Sequence, residues 1–530
     1  MKHLTLAALM LAGTALAGWA QDTPQDGGVL NFTAPYGTSI STFDIHASPS
    51  AQDEIVSHAI HRSLYKWNPQ TNKPELDLAS DVKVSDDGLT YTYTLRDNVV
   101  FHNDKPLTVD DIIFTYNRLA DPKKALAGQE HIAEIKGMAE VQAGSATELS
   151  GLKKIDDKTL EITFSQPIDP GFSLMSNYAA IYPSNVPEEQ QATKPVGLGP
   201  FKFVENVPGS RATVEKFDKY YVEGKPHLQT INFLPMGEAA ARDVAFRNGE
   251  IDFSVLGPTQ FQEYQADPAL AKDLLEVPEV YTRIMGFNLD NEKFKDVRVR
   301  QAINHAINTP LIIDKLVKGK AYQAVGFLPT SSPAFDKDAK PYDYDPEKAK
   351  ALLAEAGFPD GIDFAVTAIP NESWGLTIAE AIIPMLARSN IRLTTRPVEN
   401  ATLADTIQKG DFEAFMWSLS SGPDPLKIML CFDSTTPRAS CNYTDFKNED
   451  YDKVYAAAQA ERDEAKRNDL LKQADAIVRE QAPMWFFNYN KAVVAHQPWV
   501  HGLQQNAQEL GIQDYEDIWI DDTAPANRRD

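Results

Sequence analysis

The sequence predicts a mixed α/β protein, and three observations predict it. Segments of strict apolar/polar alternation lie along the chain among capped segments of helical period. The chain has 530 residues, about three domains' worth at ~150 residues each. Its 43% hydrophobic and 24% charged content suits a folded globular protein, and excludes a disordered, fibrous or polytopic membrane chain.

The elements follow in order. Met1-Lys2-His3 is a short positive start, and residues 4–16 are apolar except for Thr5, Gly13 and Thr14. Small residues at 15, 17, 18 and 20 offer cleavage sites, so residues 1–20 read as a secretory signal peptide cut after Ala20. Residues 29–33 read as the first strand. Residues 89–96 alternate, with Leu89, Tyr91, Tyr93 and Leu95 on one face, and residues 160–164 do the same. Between them, 108–119 predicts a helix with Thr108 as N-cap and Asp111 at the third position. Residues 346–356 predict another, with Asp345 as cap, Pro346 first, Gly357 just past the end, and a stripe of Ala349, Leu352, Leu353 and Ala356. A later helix spans 463–480, stopped by Gln481-Ala482-Pro483. The polar tail after Trp519 is expected to fray.

Charge and cysteine usage narrow the class. Lys+Arg is 51 against 75 Asp+Glu, a net charge of −24, which repels nucleic acid and anionic membranes. No stretch after the leader has eighteen consecutive apolar residues, so an exported soluble protein is expected. In an oxidising compartment Cys431 and Cys441, ten apart, read as a disulfide, with two free thiols as the alternative.

Enzyme signatures are missing: there is no G-x-S-x-G, H-E-x-x-H or G-x-x-x-x-G-K-[ST]. Gly197-Leu198-Gly199-Pro200 is no dinucleotide fingerprint, since it lacks a third Gly and Pro200 removes a donor. Glu54, His58 and His61 fall at i, i+4, i+7 and would share a helix face, but a solvated face suits them better than a metal site. Two aromatic stretches stand in polar, turn-rich surroundings: Glu372-Ser373-Trp374-Gly375 and Trp417-Ser418-Leu419-Ser420-Ser421-Gly422. A ring beside small hydroxyls and a glycine suits a ligand pocket as well as a loop packed on a core.

Several segments in order along the chain carry a family resemblance. They are 86–96 (DDGLTYTYTLR), 100–115 (VFHNDKPLTVDDIIFT), 196–202 (VGLGPFK), 249–252 (GEID), 287–288 with 294–303 (FN, FKDVRVRQAI), and 344–349 through 356–358 (YDPEKA, AGF). Together they resemble extracellular solute-binding protein family 5, the dipeptide-, oligopeptide- and nickel-binding receptors of ABC importers. The resemblance implies a two-lobed α/β periplasmic binding fold with a hinge. Residues 21–60, 191–286 and 489–530 would form the first lobe's core, 61–190 its inserted subdomain, and 287–488 the second lobe. The chain would cross between lobes near 285–288 and 486–490.

It also implies a periplasmic receptor that binds a small peptide or peptide-like solute and hands it to permease subunits in the inner membrane. No enzyme activity, cofactor, resident metal or nucleic-acid partner is expected, and the receptor would be a monomer. Short-peptide receptors of this family carry an Asp three residues after a Trp, to pair with the ligand's α-ammonium. Trp417 matches that Trp, and Ser420 stands at the Asp position. A buried ammonium without a carboxylate is costly. Glu372 or Asp424 would then substitute, or the ligand lacks a free amine, as an opine, a sugar conjugate or a metal chelate does. The expected ligand-binding set is Tyr36, Glu372, Trp374, Trp417, Ser418, Ser420 and Asp424. Cys431 and Cys441 match a loop that is disulfide-bonded in some relatives.

Overall fold

The computed structural model describes residues 23–529, apart from 36, 49, 372, 373, 423 and 508–512. The leader and its cleavage site, Tyr36 and Glu372 therefore lie outside the described residues.

One eleven-stranded sheet runs through the molecule. Its order is Ile391–Pro397, Ile362–Ala368, Ala414–Ser420, Leu274–Phe287, Met484–His496, Phe253–Val255, Val29–Ala34, Thr230–Pro235, Arg211–Lys216 and Phe201–Val207; Ala321–Gln323 pairs separately with Met484–His496. The two central strands have 14 and 13 residues, against a usual ~5–6. They are long because each belongs to both halves. Leu274–Pro278 pairs with Lys491–Ala495, then the register slips, and Thr282–Gly286 pairs with Met484–Tyr489. The slip opposes Asn490, whose side-chain amide donates to Glu279. Asn288, in the other stretch where a crossing was expected, is buried and donates to the Phe412 carbonyl at 2.9 Å.

Strand alternation divides the cores. In one half, Leu30, Phe32, Phe233 and Phe253 pack with Tyr515 and Ile518. In the other, Met285, Trp485 and Phe487 face one layer, while Ile284, Phe486 and Tyr489 face the opposite layer with Phe415, Leu471 and Val478. A separate antiparallel sheet, Ala79–Val84, Thr90–Leu95, Thr159–Thr163 and Leu152–Lys154, is backed by helix Val109–Ala120 around Tyr93, Leu160 and Ile162.

The capped helices form where the sequence placed them. Asp111 accepts from the Thr108 backbone N–H at 3.0 Å. Asp345 accepts from the N–H groups of Glu347 and Lys348 at 3.1 and 2.9 Å, starting helix Pro346–Glu355. Helix Glu464–Gln481 starts on Asp463 and ends at Ala482, whose φ is 47°. The tail does not fray. Arg528 is 4% exposed and pairs with the buried Asp252 at 2.8 Å, while donating to the Gly249 and Glu250 carbonyls. Cys431 and Cys441 are disulfide-bonded.

Candidate functional site

A cleft of about 430 Å³ lies between the halves. One wall comes from the end of helix Ala51–Ile60 and its sequel (Glu54, His58, Arg62, Lys66, Trp67), from Glu130, His131 and Tyr178, and from Gln504, Gln513 and Asp514 near the C-terminus. Tyr281 and Ser420 face it from the strands beyond the register slip, where they oppose each other across an antiparallel pair.

Sequence-distant charges build the first wall. The buried Arg62 guanidinium donates to Asp514 at 2.6 Å and to the His58 and His61 carbonyls at 2.7 and 3.1 Å, and lies 3.5 Å from Asp77. Lys66 donates to Glu516 at 2.9 Å. Burial pushes Asp77 up to about 6 despite Arg62. Glu516, opposed by the same burial, is brought down to about 2 by Arg62 and Lys66. The network ties the first helix to the C-terminal segment through a pair 452 residues apart, so its cations are held by the protein's own acids.

The 196–202 motif serves this wall. A Cβ on Gly197 would stand 2.0 Å from the Ile60 carbonyl oxygen, and one on Gly199 2.4 Å from that of Ala59, so only glycine lets this loop close on the helix end. His102 clamps the loop from behind, accepting from the Gly197 N–H at 3.3 Å and donating to the Gly199 carbonyl at 3.0 Å. Burial lowers His102 to about 4, so the ring is neutral and takes both roles.

Of the expected ligand set, Ser420 lines the cleft. Trp417 and Ser418 share its strand but are not part of this lining; Trp417 is half-buried against the Ile284–Phe486 core layer. Trp374 lies outside the lining, its backbone N–H donating to Asn371 at 3.2 Å. Asp424 caps helix Pro425–Met429, accepting from the Leu426 N–H at 2.9 Å, and burial raises its carboxyl. Glu54 and His58 do meet on one face, with Nε2 and Oε1 3.7 Å apart. His61 is the cap beyond that helix, its ring 5.0 Å from that of Tyr182. Among the described residues no group of three or more His, Cys, Asp or Glu is placed to hold a metal ion. The wall residues Lys66, Trp67, Glu130, Tyr178 and Asp514 were not foreseen. Lys66 and Trp67 have a local signal, a run of charged and aromatic residues straight after the helix Ala51–Ile60.

The cleft thus lies between two lobes joined by paired long strands. Residues 73–440 match the bacterial extracellular solute-binding proteins, family 5 (middle region). The chain belongs to that family. The dipeptide-binding protein of Escherichia coli K12 is 26% identical over 507 residues, 91% of this chain and 90% of that one. Heme-binding protein A of Haemophilus influenzae is 28% identical over 454 residues, 81% of each. Among solved structures, HbpA2 from Haemophilus parasuis superposes with a TM-score of 0.81 at 24% identity, covering 94% of this chain and all (100%) of that one. The binding protein AgaA in complex with agropinic acid, from A. tumefaciens R10, gives 0.73 at 24% identity, covering 93% and 99%. These relatives are binding proteins, not enzymes.

Proposed function

We propose that the protein is the periplasmic receptor of an ABC importer. It captures a peptide or peptide-like polar solute in the interlobe cleft and delivers it, as a monomer, to the membrane permease. The observation that carries this reading is the cleft itself, with charged and aromatic groups on one wall and Tyr281 and Ser420 on the other. A ligand touching both walls favours the closed state and so shifts the population toward it. Trp417 and Ser418, on the Ser420 strand, would extend the second wall, with Trp374 and Asp424 at its margins. A ligand without a free amine is favoured by Ser420, a hydroxyl where short-peptide receptors place a carboxylate. Export behind a cleaved leader completes the reading, and no described helix is long and apolar enough to cross a membrane.

The test is native mass spectrometry of the purified protein for a retained small molecule, followed by scattering with and without it. The expected result is a bound solute, returned unchanged, whose addition reduces the radius of gyration. Tight binding without compaction, or chemical turnover of the solute, overturns the reading.

A further inference from the structure

Beside the cleft lies a second, smaller cavity of about 170 Å³, inside the second half of the molecule. Among the described residues its walls are Phe327, Phe415, Leu419, Ile428, Phe432, Met484 and the Cys431–Cys441 disulfide, with hydroxyls from Ser420, Tyr443 and Thr444. Ser420 lines both cavities, so the two adjoin at this residue. Protein cores are close-packed and rarely keep voids larger than a water molecule. An apolar void of roughly 150 Å³ stays dry and accepts benzene. Here such a void is kept in the wall of a ligand cleft, beside a loop stapled by a disulfide.

We propose that this cavity is a specificity subsite that receives an apolar ring or branched aliphatic chain of the ligand, threaded past Ser420 while the polar part stays in the cleft. The proposal rests on the reading of the cleft as the ligand site. The size of the void sets the class: a phenyl or leucine-sized group fits. The lining sets the chemistry, because no charged side chain borders the void and a charged group there would be stranded. The ligand is therefore amphipathic, with one apolar arm.

Two probes test it, on the full protein and on Ile428→Phe and Leu419→Phe, each filling the void from a different side and each checked for a cooperative melt. Saturation-transfer NMR with p-cresol should show saturable binding that weakens at least tenfold in both variants. Titration with Ala-Ala and Ala-Phe should show Ala-Phe at least tenfold tighter, with the ratio collapsing in the variants. Equal affinity for the two dipeptides overturns the subsite. If neither dipeptide binds, as a ligand without a free amine entails, p-cresol decides the subsite: binding lost in the filled variants upholds it, and no binding, or binding the variants leave unchanged, overturns it.

Discussion

Ser420 is one hydroxyl in a position where one carboxylate would change the ligand class. It is exposed, its side chain accepts only a local bond from the Gly422 N–H at 3.1 Å, and it faces the cleft. Ser420→Asp should raise affinity for free dipeptides at least about tenfold, or ~1.4 kcal/mol, by pairing the α-ammonium. Calorimetric titration with Ala-Ala checks it. An unmodified protein that already binds dipeptides tightly removes the argument from Ser420.

His61 carries a second expectation at this scale. Burial first, then the neighbouring His102, hold it down to about 3 from an ordinary 6.5. The folded protein takes up this proton later than the unfolded chain, so the residue withdraws stability as pH falls from about 6.5 to about 3. Buried acids act the other way: Asp77 and Asp475, pushed up to about 6, add stability over the upper part of that range. The clean readout is thus a difference. The melting temperature of His61→Gln minus that of the natural protein should rise steadily as pH falls below 6.5. A flat difference shows that the ring is not held neutral.

Among elements, the 431–441 loop has the strongest claim to rigidity. Closing ten residues by a disulfide contributes about 2.5–3 kcal/mol in the chain-entropy model. Cys431→Ser should lower the melting temperature by a few degrees under oxidising conditions and leave the reduced protein's curve unchanged. The helices show what local sequence can encode. Asp345-Pro346 and Asp463 start their helices and Gly357 follows an end, because caps act within one turn. Asp475 shows the boundary of that logic. It interrupts the buried stripe Leu471, Ala474 and Val478, and accepts from the Phe327 and Leu328 N–H groups, about 150 residues away. No periodicity announces such a partner. The same holds for Arg62 with Asp514 and Arg528 with Asp252: the charges are visible in the sequence and their pairing is not. The motifs were more legible than the cleft, because a motif is read from consecutive residues while the cleft wall assembles from distant parts of the chain.

At the scale of the whole molecule, two points in residues 73–87 reach across to the second half. Lys73 pairs with Glu464 at 2.7 Å, and Arg462 donates to the Asp86 and Asp87 carbonyls at 3.2 Å each. Both Lys73 and Glu464 are about half exposed, and such pairs are worth ~0–1 kcal/mol. Glu464→Lys should therefore shift the balance of open and closed forms by no more than about fivefold, and less as salt rises. Scattering at low and high ionic strength checks this. A larger, salt-insensitive shift means that the contact acts through packing.

The strand Met484–His496 sits in the middle of the sheet, between Leu274–Phe287 and Phe253–Val255. A ribosome delivers it after every strand that it joins. Until it emerges, the first strands lack the partner that connects them to the rest, and Arg528 follows later still to cover Asp252. Pairing over such sequence separations is slow to form. The sheet that spans both halves therefore closes late, because its central seam waits for a strand that follows all of its partners in the chain.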